Sequence, residues 1–270
     1  MAKKIKVPSP LEVETLEKTL EDCRKVLSDA EIIKVLKAAK VAREAQNREK
    51  EYWEKVSKPT QWPKYSAEEL MGVFMDTFKN RTGKNFELDQ YSGPVLEAIC
   101  LYFTTDERFL ELDEAYSFEK GILLFGNVGC GKSEIMKILE WNQKASYQCC
   151  SCADIAREHS TKGYNQFDKY TNPAPNHSTS QRFFGHELLG WCFDDIGFET
   201  EARHFGKATN IMAEILHKSY ENPKMRGRIH GTTNLSSEEL LRYYGTRITS
   251  RMRESFNVIA YHKDAPDRRK

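Results

Sequence analysis

What the sequence lacks narrows the choices first. No run of about 18 apolar residues occurs in it, which excludes a transmembrane helix and leaves no membrane partner to expect. The first residues, MAKKIKVPSP, are basic but have no apolar stretch behind them. A secretory signal is therefore not expected, and the cytoplasm is the expected compartment. Charge of one sign is also lacking: 41 Lys and Arg against 40 Asp and Glu leave a net +1. That balance argues neither for nor against nucleic acid, because local patches decide such binding. The seven cysteines are odd in number and scattered, and they read as reduced thiols. Cys149, Cys150 and Cys152 invite a zinc reading. Their run, SYQCCSC, nevertheless resembles a buried strand, and no second Cys/His pair has finger-like spacing, so small core residues is the preferred reading.

What is present changes character along the chain. The first third is polar and helical. Ser9, Pro10, Leu11 and Glu12 form a capping box with proline at the first helical position, followed by Leu16, Leu20, Cys23 and Leu27 at helical spacing. Ser28 and Glu31 repeat the signature and open a second helix, with Ile32, Leu36 and Ala39 on one side. So narrow an apolar stripe suits a helix that stands in solvent or awaits a partner. Residues 57–63 (SKPTQWP) read as a linker, since both prolines interrupt regular structure. The spacing then predicts a helix from a capping box at Ser66 and Glu69, carrying Leu70, Phe74 and Phe78 and stopping at Gly83. Pro94 opens another, with Val95, Ile99 and Tyr102 in phase. From Gly121 onward short apolar runs (GILLFG, SYQCCSC, GWCFDD, RIHGTTN, FNVIAY) alternate with helical patterns. That alternation predicts a parallel sheet with helices on both faces. Residues 159–182 form a polar stretch too long for an ordinary connection, expected to be a mobile or functional loop.

The strongest chemical signal is GNVGCGKS, residues 126–133, between an apolar strand and the helical run SEIMKILEW. It satisfies G-x-x-x-x-G-K-[ST], in which glycines let backbone N–H groups turn inward around phosphates. Gly126, Asn127, Val128, Gly129, Cys130 and Gly131 form the cradle, Lys132 sets a positive charge on the outer phosphates, and Ser133 coordinates magnesium. The second signal, WCFDDIG at 191–197, is an apolar strand ending in two acids. Asp194 is the expected magnesium ligand, and Asp195 the group that orients or deprotonates the attacking water. Glutamate is the commoner residue at that second position. Third, Thr233 and Asn234 end another predicted strand, where an amide can hold water and sense the outer phosphate, although Asn before LSSEE also suits a helix cap. Fourth, Arg247 and Arg251 share a helix face in YYGTRITSRMRES. They could be a solvated basic face or an arginine finger for a neighbouring subunit, and periodicity does not choose.

The order GNVGCGKS, CFDDIG, TTNLSSEEL, GTRITSRMRE resembles the AAA+ ATPases of the helicase-loader group, the DnaC and IstB-like proteins, over residues 96–270. The resemblance implies an α/β P-loop AAA+ core, a five-stranded parallel sheet in an α/β/α sandwich, without a C-terminal lid domain. Residues 64–270 would form that ATPase domain with its leading helices, and 1–63 a helical partner-binding region and linker. The implied cofactors are ATP and Mg2+, with Lys132 and Ser133 in Walker A, Asp194 and Asp195 in Walker B, Asn234 as sensor 1 and Arg251 as the arginine finger. Arg268 is the candidate for the missing sensor 2. The implied role is a replication helper ATPase, acting as an ATP-dependent homo-oligomer on a replicative helicase and single-stranded DNA. Arg157, Lys162, Lys169 and Arg182 with Tyr164, Phe167 and Tyr170 surround the long loop and suit such a strand, or an ordinary surface loop. The alternatives are a transposase helper of the same group and, more remotely, a P-loop small-molecule kinase.

Overall fold

A computed structural model describes residues 18–19, 21–56, 62–162, 167–176, 182–199, 202–204 and 207–269. The Ser9 capping box, Leu16, Leu20 and linker residues 57–61 lie outside them. The chain divides into two units, Met1–Thr60 and Gln61–Lys270. In the first, helix α1 (Asp29–Val56) starts where the capping signature predicts, with the Glu31 carboxylate accepting from the Ser28 amide at 2.9 Å and hydroxyl at 2.7 Å. Of the expected stripe, Leu36 and Ala39 are exposed and Ile32 is half-buried, and Ile33, Val35 and Val41 on the same helix are exposed as well.

The second unit opens with α2 (Ala67–Thr82) and α3 (Gly93–Thr104). Ser66 and Glu69 cap α2 reciprocally, and Gly83 ends it in the left-handed conformation, φ 71°. Helix α3 is nearly all apolar, with Leu96, Ile99, Tyr102 and Phe103 fully buried. The sheet is built from β1 (Gly121–Phe125), β2 (Tyr147–Ser151), β3 (Leu188–Asp194), β4 (Ile229–Thr233) and β5 (Phe256–Ala260). These five run in the order β2-β3-β4-β1-β5 with parallel pairings between them, and a short sixth strand, Ala174–Pro175, adds antiparallel to β3. Period-2 alternation feeds a core on each face. Ile122 and Leu124 of β1 and Cys192 of β3 pack in one core with α2, α3 and α4 (Lys132–Ile138). Leu123, Trp191 and Phe193 pack in the other, with α5 (Cys152–Lys162), α6 (Ile211–Glu221) and α7 (Ser237–Ser255). Helix α7 is two helices joined across Gly245, whose φ 76° and ψ 168° break the helical run. This is the five-stranded α/β/α arrangement expected from the sequence.

The stretch 159–182, expected to be a mobile or functional loop, carries regular structure. Among its described residues, α5 continues to Lys162, a short helix spans Phe167–Thr171, and Ala174–Pro175 pairs antiparallel with the start of β3. Aromatic burial explains the order. Tyr170 is buried against Trp191 at 5.0 Å, its hydroxyl donates to Glu158 at 2.7 Å, and the Trp191 indole donates to the Asn172 carbonyl at 2.8 Å. Cys149 and Cys150 lie on β2 and Cys152 opens α5. All three are free thiols, and the buried Cys152 packs with Ile155 and Ala156.

Candidate functional site

The strand order turns in opposite directions on either side of β1 and β4, and the carboxyl ends of those strands meet at one edge. Ligands of open parallel sheets bind at such an edge. There, residues 126–131 leave β1 and enter α4. Gly129 adopts φ 84°, and a Cβ on it would lie 1.9 Å from Oδ1 of Asp267, so the loop closes only with glycine. The Lys132 side chain turns back into the loop. Its ammonium donates to the carbonyls of Gly126 (2.8 Å) and Asn127 (2.9 Å) and to Oδ1 of Asn234 (2.6 Å). Burial pulls this ammonium below its ordinary value, against the opposing effect of Cys130, Asp195 and Asp194.

Two acids stand opposite. Ser133 Oγ donates to Asp194 Oδ1 at 2.7 Å, and Thr232 Oγ1 donates to the same oxygen at 2.7 Å. Lys137 Nζ lies 3.5 Å from the other oxygen, Oδ2. Thr232 also accepts from the Asp195 amide at 2.9 Å, so one hydroxyl joins both acids. Asp195 has φ 61°, a left-handed conformation that costs a non-glycine residue about 1–3 kcal/mol and persists only where the surroundings enforce it. Asn234 donates to Asp195 Oδ1 at 3.3 Å while accepting from Lys132, and so bridges the loop lysine to the second acid. A side chain that must offer a donor on one side and an acceptor on the other is well served by an amide.

These groups border an open cavity of about 760 Å³. Its size falls within the range of about 300–1,000 Å³ of small-molecule sites, room enough for a nucleoside triphosphate. The lining includes Val128, Gly129, Gly131, Lys132, Ser133, Asp194, Asp195 and Asn234, all expected from the sequence. The donor set also fits magnesium, because a hydroxyl and a carboxylate oxygen already converge at 2.7 Å. Gly126 and Asn127 meet the Lys132 ammonium through their carbonyls, and Cys130 of the loop is buried.

The cavity has walls that sequence patterns did not announce. Phe78, Asn85, Phe86 and Glu87 border it from α2 and the segment after it. Phe78 reads from spacing as a core residue, and it does pack on Phe86 at 5.2 Å. Thr232 carries no motif signal of its own, and the sequence pattern points to its neighbour Thr233. Strand alternation sends Thr233 the other way, where its hydroxyl donates to the Ile196 carbonyl at 2.8 Å. Arg268 does line the cavity, yet its guanidinium is held by Glu87 at 2.8 Å and Asp89 at 2.5 Å. Burial favours a neutral Asp89, but the Ser92 and Tyr91 amides and Arg268 outweigh it and hold that carboxyl at about 2.

Arg251 is not brought to this cavity. It sits on the second half of α7, paired with His217 and, at 3.7 Å, with Glu221 of α6, its guanidinium 5.1 Å from the centre of the Tyr220 ring. Arg247, one turn earlier, is exposed. Of the basic and aromatic residues around 159–182, Arg157 pairs with Asp154 at 2.8 Å and Lys169 lies 3.6 Å from Glu158. Tyr170 belongs to the core, Phe167 is half-buried, and Tyr164 and the side chains of Lys162 and Arg182 lie outside the described residues.

A P-loop and an acidic strand end, side by side on a five-stranded parallel sheet, define an α/β P-loop protein. Among solved structures the chain is similar to the crystal structure of the DnaC helicase loader, at 16% identity and a TM-score of 0.42, covering 67% of this chain and 95% of that one. It is similar at the same identity and TM-score to AMPPCP-bound DnaA from Aquifex aeolicus, covering 77% of this chain and 53% of that one. No protein-family model matches the chain, and no curated protein matches it.

Proposed function

We propose that this chain binds ATP with magnesium in the cavity at the end of β1 and hydrolyses it. The observation that carries the reading is the chain Lys132–Asn234–Asp195, beside the pair Ser133–Asp194. Lys132 binds the outer phosphates, Ser133 and Asp194 hold magnesium, and Asp195 with Asn234 orients the water that attacks. Magnesium would neutralise charge on the phosphates. A small-molecule kinase would use the same loop to pass phosphate to an acceptor, but the Asn234–Asp195 contact suits a water-positioning role.

The order of motifs supports a finer reading: a helicase-loader ATPase that acts on a replicative helicase and single-stranded DNA, with transposase helper as the alternative. Residues 1–63 would form the partner-binding region and 64–270 the ATPase domain. Exposed Ile33, Val35, Leu36 and Val41 on α1 suit the first assignment. Arg251 would act in trans, in a homo-oligomer, since it lies outside the cavity of its own chain. In this role it must leave His217 and Glu221, or bring them with it.

The test is phosphate release from ATP by the wild type and by Asp195→Asn. Retained ATP binding with turnover reduced by about 100-fold or more is the expected result, the scale seen when a group that stabilises the transition state is lost. Equal turnover would mean that Asp195 is a strand-end acid and that the water is activated elsewhere.

A further inference from the structure

The residues just after the two acids form a second device that the proposed reaction does not use directly. Glu199 is buried, 3% exposed, although it lies only a short step from the cavity mouth. A buried carboxylate is expensive unless its oxygens are satisfied, and here both are. One accepts from the Gly197 amide at 2.8 Å, and the other accepts from the Tyr244 hydroxyl. The Glu199 carbonyl takes a further bond, from the Tyr243 hydroxyl. Burial raises the carboxyl of Glu199, with the Tyr244 hydroxyl working against it.

Both ends of this clasp are significant. At one end stands the loop that sets Asp195. Its backbone doubles back, with Phe198 N–H donating to the Asp195 carbonyl at 3.0 Å and Ile196 N–H to the Thr232 carbonyl at 2.8 Å. Gly197 has φ 93°, and a Cβ there would meet Leu235 at 2.2 Å, so the turn is closely confined. A left-handed Asp195 needs such enforcement, because relaxation of the loop would move its carboxylate. At the other end stand Tyr243 and Tyr244, the last residues of α7 before its break at Gly245. Glu199 thus ties the loop that carries Asp195 to the first half of α7.

We infer that Glu199 is a positioning residue for hydrolysis: through the Gly197 amide and the Tyr244 hydroxyl it fixes Asp195 in the conformation that aligns water. The inference rests on the hydrolytic reading proposed above. Glu199 does not line the cavity, so substrate affinity should be indifferent to it, whereas alignment should not be.

The test compares ATP turnover and ATP affinity in the full chain carrying Glu199→Gln, Tyr244→Phe, both together, or Asp195→Asn. Glu199→Gln and Tyr244→Phe should each lower kcat by about 10-fold or more, the scale of a misplaced catalytic group, with KM and ATP affinity within about 2-fold. The double variant should lose no more than the worse single one, because each breaks the same link. If Asp195→Asn slows turnover while the two clasp variants leave kcat unchanged, the inference fails and the hydrolytic reading stands. If the clasp variants lose affinity and kcat in parallel, or their losses multiply in the double variant, Glu199 is a packing residue and the inference fails. A wild type without turnover overturns both.

Discussion

At the scale of single residues, the site depends on hydroxyls and amides that each serve two partners. Thr232 donates to Asp194 and accepts from the Asp195 amide, so its replacement by valine leaves that amide without its partner and Ser133 alone on Asp194 Oδ1. Unmet polar groups in such a place cost about 1–3 kcal/mol each. Thr232→Val should therefore lower the melting temperature and raise the magnesium concentration needed for half-maximal turnover. Thermal melts and a magnesium titration check this, and an unchanged variant would count against the shared hydroxyl. The Arg268 clasp yields a pH signature. Asp89 is held at about 2 against an ordinary 3.8, so its contribution to stability is complete above the ordinary value. It is lost as pH falls from about 4 towards 2. Melting temperatures of wild type and Asp89→Asn should differ at pH 6 and converge through that window, and a constant gap would contradict the assignment.

At the scale of elements, local signals and tertiary packing divide the credit. Capping boxes at Ser28 and Ser66, Gly83 and the run 121–125 were legible because their chemistry is local, and each element begins or ends where those residues place it. The P-loop was legible for the same reason: a fixed spacing of glycines, lysine and serine does one job. The elements within 159–182 were not, because they depend on Tyr170 reaching Trp191 and Glu158, contacts that no periodicity encodes. Phe86, Arg268 and Glu199 escaped likewise, since their roles come from segments far apart in sequence. Helix α1 lies between these cases: its cap is local, and the sequence does not name what would cover its apolar residues. Removal of residues 1–63 should leave a soluble ATPase domain that melts within a few degrees of the full chain, binds ATP, and fails to capture a replicative helicase in a pull-down. Aggregation or a large loss of stability on truncation would assign α1 to the core and end the partner-binding reading.

At the scale of the whole molecule, the cavity combines strand ends, Arg268 and Arg269 and the segment after α2, while Arg251 stands apart on α7. On the reading proposed above, an arginine so placed serves a neighbour's phosphates rather than its own. Arg251→Ala should bind ATP normally and lose turnover by about 10³-fold, the scale of an arginine finger. Mixed with Lys132→Ala, it should regain part of the activity, because each variant supplies the half that the other lacks. No recovery, or full turnover by a dilute wild-type monomer, would count against action in trans. All of this presupposes that the cavity takes ATP through Lys132, and calorimetric titration of ATP with magnesium into wild type and Lys132→Ala tests that most directly. Charge-assisted contacts of about 1.5–3 kcal/mol set the expected result: saturable binding by the wild type, weakened roughly 10- to 100-fold or more in a variant that still folds. Equal affinity in the two proteins would contradict the account at its base.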